Sequence, residues 1–107
     1  MKKIIILIMS IFIVGCSSMV QKGAISLAYS NFEGRDYEDT LRYISQAENE
    51  RQPSVELKAE LTYLKAQTYE KMGEYRKAKS LYEYLKNEHR SSQYGYLASQ
   101  RLEENVR

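Results

Sequence analysis

Apolar side chains recur at the spacing of an amphipathic helix along most of the chain. One segment follows the i, i+3, i+4, i+7 pattern of a single helix face, at Ala78, Leu81, Tyr82 and Leu85. The other apolar faces are Ile25, Tyr29 and Phe32; Tyr37, Leu41 and Ile44; Leu57, Leu61, Leu64, Thr68 and Met72; and Tyr94, Leu97, Ala98 and Leu102. No segment of useful length alternates with the period of two that a half-buried strand requires. The pattern predicts an all-α domain.

Helix-breaking and capping residues divide this pattern into five helices. The pair Pro53-Ser54 ends one helix, and Ser54 is suited to cap the next. Gly34 and Gly73 are each expected to end a helix, because glycine adopts the left-handed conformation at C′ without steric cost. The pair Ser91-Ser92 offers an N-cap for the last helix. We predict helices over residues 22–33, 36–50, 54–72, 75–89 and 92–105.

The first 15 residues have a different pattern. Lys2 and Lys3 precede an apolar run of 11 residues from Ile4 to Val14, which only Ser10 interrupts. A basic start, a short apolar run and a small residue at Gly15 are typical of a secretory signal peptide. The run is too short for a transmembrane helix, which needs roughly 20 residues. We therefore predict a signal peptide over residues 1–15.

The four residues Ile13-Val14-Gly15-Cys16 resemble the bacterial lipobox, in which the cysteine is diacylated and the chain is cut just before it. The resemblance implies lipid on Cys16, a lipidated linker at residues 16–21 and a helical domain over residues 22–107. The alternative is an ordinary signal peptide followed by an incidental cysteine. Cys16 is followed by Ser17 and Ser18, and not by the aspartate that retains enterobacterial lipoproteins in the inner membrane. By that likeness we expect an outer-membrane protein anchored on the periplasmic face.

The two glycine turns lie between paired helices and suggest a repeat. Around the second turn, Tyr69, Gly73, Ala78 and Tyr82 have a spacing that resembles the tetratricopeptide repeat (TPR), with an aromatic residue four before the glycine and a small residue five after it. Around the first turn, Ser30 and Thr40 replace the aromatic and the small residue, and the glycines are 39 residues apart. The resemblance implies antiparallel helix pairs stacked as a short TPR-like solenoid.

Two repeats and a closing helix are fewer than the three or more repeats that stable solenoids use. This favours either self-association into a homo-oligomer or a bound partner. Residues 66–102 further resemble repeats of two periplasmic families, the tetratricopeptide lipoprotein of the outer-membrane β-barrel assembly machine and the cell-division coordinator of the Tol–Pal system. Those repeats carry Tyr-Pro-x-Ser where this chain has Glu88-His89-Arg90-Ser91. The likeness implies a periplasmic scaffold.

Charge and reactive side chains narrow the classes of function. Cleavage at Cys16 removes Lys2 and Lys3 from 16 basic residues, which leaves 14 against 14 acidic residues and no basic patch for nucleic acid. His89 is the only histidine, and lipid would block the thiol of Cys16, the only cysteine, so we expect neither a Cys–His pair nor a metal site of several histidines. The acidic pairs Glu48/Glu50 and Glu103/Glu104 have no glycine-rich loop beside them. We expect no catalytic residue, no metal, no cofactor and no enzymatic activity.

The TPR resemblance implies a candidate binding face, because the first helix of each pair lines a concave surface there. That face maps onto Glu60, Tyr63, Gln67, Glu70 and Lys71, and in the first copy onto Ala24, Ala28, Asn31 and Phe32. Tyr63 is expected to be partly exposed, as an apolar anchor with a polar rim. Tyr84 and Tyr96 also fall off the main apolar stripes. We expect the core tyrosines to be Tyr69, Tyr75 and Tyr82.

Together these features favour a lipid-anchored periplasmic adaptor that binds an envelope or outer-membrane protein. One version is an assembly or secretion accessory, such as a pilotin that escorts a channel subunit. The alternative is a structural or envelope-stress lipoprotein, or a regulator docked onto a peptidoglycan enzyme.

Overall fold

The computed structural model describes residues 19–104, and this part of the chain is all-α. Helix α1 covers residues 19–33, α2 Tyr37–Glu50, α3 Val55–Lys71, α4 Tyr75–Glu88 and α5 Gln93–Glu104. The predicted boundaries agree to within one residue except at the start of α1. The predicted signal peptide and lipid site, residues 17–18 of the linker and the last three residues of the predicted domain lie outside the described residues. Within residues 19–104, no helix is both long enough and apolar enough to cross a bilayer.

Helix α1 includes residues 19–21, which the sequence assigned to a linker. The reason is a polar contact with the end of α2. The Gln21 side chain is buried and its Nε2 donates to the carbonyl oxygens of Ala47 at 3.0 Å and Arg51 at 2.9 Å. The last carbonyls of a helix lack partners within it. Gln21 supplies such partners, so this residue is part of the helical domain.

Two clusters of small and large apolar residues form the core, and α3 contributes to both. One cluster joins α1, α2 and α3 and contains Ala24, Ala28, Ile44, Ala47, Leu61 and Leu64. The other joins α3, α4 and α5 and contains Ala59, Ala66, Ala78, Tyr82, Leu85 and Ala98. Ala78 is fully buried, as its position after the Gly73 turn predicts. The alanines let neighbouring helices approach closely, and the bulky residues fill the space beside them.

The turn between α1 and α2 and the turn between α3 and α4 have the same hydrogen-bond pattern, at the ends of α1 and α3. The Asp36 N–H donates to the Asn31 carbonyl at 2.8 Å, and the Glu74 N–H donates to the Tyr69 carbonyl at 2.8 Å. In this arrangement the residue before each donor adopts the left-handed conformation. That residue is Gly73, with φ 80°, in the second turn, but Arg35, with φ 64°, in the first. Helix α1 ends just before Gly34, as predicted, but the left-handed conformation expected of Gly34 belongs to Arg35, and the structurally equivalent turn residues are 38 apart rather than 39.

Replacing Arg35 with glycine is expected to raise the free energy of unfolding by about 1 kcal/mol. A left-handed conformation costs a residue with a Cβ atom roughly 1–2 kcal/mol, and part of the gain is offset by the greater freedom of glycine in the unfolded chain. Urea unfolding followed by circular dichroism measures the change. Gly73→Ala is the matched control and should shift stability by a similar amount in the opposite direction. An Arg35→Gly midpoint at or below that of the parent protein would contradict the assignment.

Candidate functional site

The five residues proposed to bind a partner all lie on α3, but they do not share one environment. Glu60, Gln67 and Lys71 are spaced i, i+7 and i+11, which places them along one strip of the helix. Lys71 is exposed, and Glu60 and Gln67 are half-buried. We call these three residues the α3 strip. Tyr63 and Glu70 face α5 instead, where they make contacts within the protein.

Tyr63 is half-buried and packs against the second core cluster. Its ring centroid lies 5.9 Å from that of Tyr82 in α4 and 5.7 Å from that of Tyr94 in α5. Burial is the main reason that the pKa of Tyr63 lies above its ordinary value. The expected partial exposure is confirmed. However, its ring packs against Tyr82 and Tyr94, so only part of the side chain is available to a partner.

Glu70 joins three helices through its carboxylate. It forms an ion pair with Arg101 of α5, whose Nε also donates to Glu70 Oε1 at 3.3 Å. The hydroxyl of Tyr82 in α4 donates to the same oxygen at 3.2 Å. Burial, followed by the nearby Glu70 charge, raises the pKa of Tyr82. Glu70 therefore has a structural role in this protein: it holds α5 against the α3–α4 pair.

Glu60 is hydrogen-bonded to a tyrosine of a neighbouring helix. The Tyr29 hydroxyl of α1 donates to Glu60 Oε1 at 2.7 Å. Burial and this carboxylate raise the pKa of Tyr29, and the same two causes raise the pKa of Tyr94 on α5. The ring of Tyr94 packs against Tyr63, which lies one helical turn after Glu60 on α3, at a centroid distance of 5.7 Å. Tyrosines of α1 and α5 therefore lie beside the α3 strip.

A cavity of about 340 Å³ has Tyr94 in its wall. Its lining residues are Glu56, Ser91, Ser92, Gln93 and Tyr94. Ser92 caps α5, since its Oγ accepts from the Tyr94 N–H at 3.0 Å, as the sequence predicts for this serine pair. Ser54 likewise caps α3 by accepting from the Leu57 N–H at 3.1 Å. These two caps determine where α3 and α5 begin. The first turns of the two helices line the cavity.

The first-copy residues that the TPR resemblance assigned to a binding face do not form one. Ala24 and Ala28 are buried in the first core cluster, because α1 turns its small residues toward α2 and α3. Phe32 is half-buried, with its ring 5.8 Å from that of Tyr37. Asn31 donates its side-chain amide to the Leu27 carbonyl at 2.7 Å. This part of the expected face is wrong, and α1 contributes Tyr29 instead.

The division of the tyrosines into buried and exposed residues differs in part from the prediction. Tyr82 is fully buried and Tyr69 half-buried, as predicted. Tyr75 is 55% exposed, so its assignment to the core is wrong. It is the first residue of α4. Because helical side chains tilt toward the N-terminus, a residue at this position extends beyond the start of the helix. Tyr96 is 63% exposed, whereas Tyr84 is half-buried with its ring 5.4 Å from that of His89.

Gly95 has a structural role that the sequence analysis did not predict. It lies buried near the start of α5, where this helix crosses the end of α4. A Cβ atom on Gly95 would overlap the His89 carbonyl oxygen and lie 3.1 Å from the Leu85 carbonyl oxygen. The available signal was a glycine inside a predicted helix, which often marks a close approach of two backbones. Gly95 lets α5 come near enough for Arg101 to reach Glu70.

The arrangement offers hydrogen-bonding groups, charges of both signs and tyrosine edges, which suit contact with another protein. Among residues 19–104, no group of three or more His, Cys, Asp or Glu side chains is placed to hold a metal ion. The chain matches no protein-family model, no curated protein and no solved structure.

Proposed function

We propose that this chain is a lipid-anchored, non-enzymatic adaptor that binds an envelope protein at the periplasmic face of the outer membrane. The lipobox-like Ile13-Val14-Gly15-Cys16 supports the anchor and the compartment. The observation that carries the binding role is the α3 strip, where Tyr29 of α1 is hydrogen-bonded to Glu60 and Tyr94 of α5 packs against the neighbouring Tyr63. An assembly or secretion accessory of the pilotin kind is the version that best fits a small anchored domain.

The strip has the features of a pre-organised binding surface. Glu60 and Lys71 provide opposite charges at its two ends, with the Gln67 amide between them. The Tyr29 hydroxyl holds the Glu60 carboxylate in place, so little side-chain freedom remains to be lost on binding. Tyrosine combines apolar area with a polar tip and is common in such interfaces. A partner segment lying along α3 would contact both kinds of group.

Replacing Cys16 with serine is expected to abolish incorporation of labelled palmitate and to release the mature domain from membranes, or to leave the uncleaved precursor. The hydroxyl of serine cannot take the thioether-linked lipid. Labelled palmitate in whole cells and fractionation of their envelopes measure the two effects. Ser17→Ala is a matched control that should leave both unchanged. Unchanged labelling of Cys16→Ser would refute the lipoprotein assignment.

A photo-crosslinking amino acid placed at Lys71 is expected to give a discrete adduct with one envelope protein in intact cells. The same amino acid at Lys79 is the matched control, since this lysine is also exposed but lies on α4, away from the strip. The Lys79 position should give no such adduct. Adducts from Lys79 alone, or equal adducts from both positions, would place the partner elsewhere. A peptidoglycan enzyme as the adduct would favour the regulator over the assembly accessory.

A further inference from the structure

One face of α1 is uncharged and uncovered by the rest of the described chain. We define the α1 outer face as Met19, Val20, Gly23, Ser26, Leu27 and Ser30, which lie on the side of the helix away from the first core cluster. Met19, Val20 and Leu27 are 74%, 40% and 46% exposed. A Cβ atom built on Gly23 would meet nothing within 4 Å. The charged residues Lys22 and Glu33 lie at the edge of this face.

The other end of the helical stack differs. The exposed residues of α5 are Gln93, Tyr96, Gln100, Glu103 and Glu104, so its outward side is mostly polar and acidic. A polar outer face is what a terminal repeat needs in order to remain in water. Helix α5 meets that requirement, whereas the α1 outer face carries three large apolar side chains, and the exposed charges of α1, Lys22 and Glu33, lie only at its edge. The contrast indicates that the α1 outer face contacts something other than water.

The sequence places the candidate anchor next to this face. Cys16 precedes Met19 by three residues, and three residues of fully extended chain span at most about 11 Å. A lipid on Cys16 would therefore hold the start of α1 at the surface of the bilayer. A partner protein on this face would have to fit within the same short distance of the lipid. With such an anchor, the apolar surface nearest to Met19 and Val20 would be the membrane.

We propose that the α1 outer face lies on the lipid bilayer, at the boundary between headgroups and acyl chains. This inference rests on the proposed lipid at Cys16 and goes beyond it, because a lipidated domain could also hang freely in the periplasm. An uncharged face can leave water without the cost of desolvating an ion. Leu27, two helical turns after Val20, extends the contact along α1, so the membrane orients the whole domain.

The test uses the full lipidated protein, purified from membranes and reconstituted into vesicles of phosphatidylethanolamine and phosphatidylglycerol. A spin label is attached to Leu27→Cys or, as the matched control, to Gln100→Cys on the exposed side of α5. We expect the label at position 27 to be relaxed by dissolved oxygen and protected from a water-soluble nickel chelate. The label at position 100 should show the reverse pattern. Equal access of the nickel chelate to both labels would overturn the proposal.

The remaining outcomes are also decisive. A label at position 27 that is shielded from both relaxants, with spin–spin broadening between copies, would show that a second copy covers the face and would overturn the lipid contact. Failure of the proposed function has a different signature, because the spin-labelling reagent would then react with Cys16 in the parent chain. That result overturns both proposals. A lipidated chain with position 27 open to water refutes the membrane contact alone.

Discussion

Replacing Tyr82 with alanine is expected to lower the free energy of unfolding by about 3–5 kcal/mol, the usual cost of removing a large aromatic side chain from a core. Tyr82 is fully buried and is the largest such side chain among residues 19–104. Its ring packs beside Tyr63, and its hydroxyl donates to Glu70. Since small domains are commonly stable by only about 5–15 kcal/mol, the variant should unfold at much lower urea concentration or fail to fold.

Two further tyrosine variants separate packing from hydrogen bonding. Tyr82→Phe keeps the ring and removes only the hydroxyl, and it should cost about 1 kcal/mol because Glu70 retains Arg101 as a partner. Tyr96→Ala makes the same truncation at an exposed position and should change stability by less than about 0.5 kcal/mol. Urea unfolding followed by circular dichroism distinguishes the three. Equal loss from Tyr82→Ala and Tyr96→Ala would contradict the described core.

Adding a single methyl group at Gly95 is expected to destabilise the protein by about 3 kcal/mol, near the upper end for an overpacked site. The new Cβ atom of Gly95→Ala would overlap the His89 carbonyl oxygen and lie 2.8 Å from its carbonyl carbon. These are backbone atoms, so no change of rotamer can relieve the contact. Helix α5 must move away from α4, which also separates Arg101 from Glu70.

The matched control for this variant is Gly23→Ala. Gly23 also lies within a helix, but a Cβ atom there has open space around it. Alanine is a better helix former than glycine by about 0.8–1.0 kcal/mol, so this variant should be more stable than the parent. If the free energy of unfolding falls for Gly95→Ala and rises for Gly23→Ala, the close approach of α5 to α4, rather than helix propensity, decides the result at Gly95. Stabilisation by Gly95→Ala would show that α5 does not cross α4 as described.

Much of the local structure follows from the sequence. The apolar period of the chain predicts five helices, and the described helices match them to within one residue at most ends. Ser54 and Ser92 cap their helices because the hydroxyl and the N–H groups that it accepts from are two or three residues apart. Ala78 and Tyr82 are buried, as their places on the apolar face of α4 predict. Such features depend on neighbours within a few positions, which the sequence displays directly.

The candidate site could be predicted only in part. The TPR resemblance assigned five candidate residues to one side of α3, and three of them form the α3 strip. Tyr63 and Glu70 were expected on the same open face, but α5 covers that edge of α3. The partners that decide this are far away in sequence: Arg101 is 31 residues from Glu70, and Tyr29 is 31 residues from Glu60. No pattern within one helix indicates such a contact.

What the sequence by itself determined is therefore the local architecture: helix positions, caps, the buried stripes and a lipobox-like motif. The tertiary structure decided which charged and aromatic residues remain available. It also decided that Arg35 rather than Gly34 adopts the left-handed conformation, because that residue is set by where hydrogen bonds end α1. The physical reason is the same in each case. A periodic pattern specifies which side of a helix is apolar, whereas the path of the neighbouring helix specifies how much of that side, and of its polar edge, is covered.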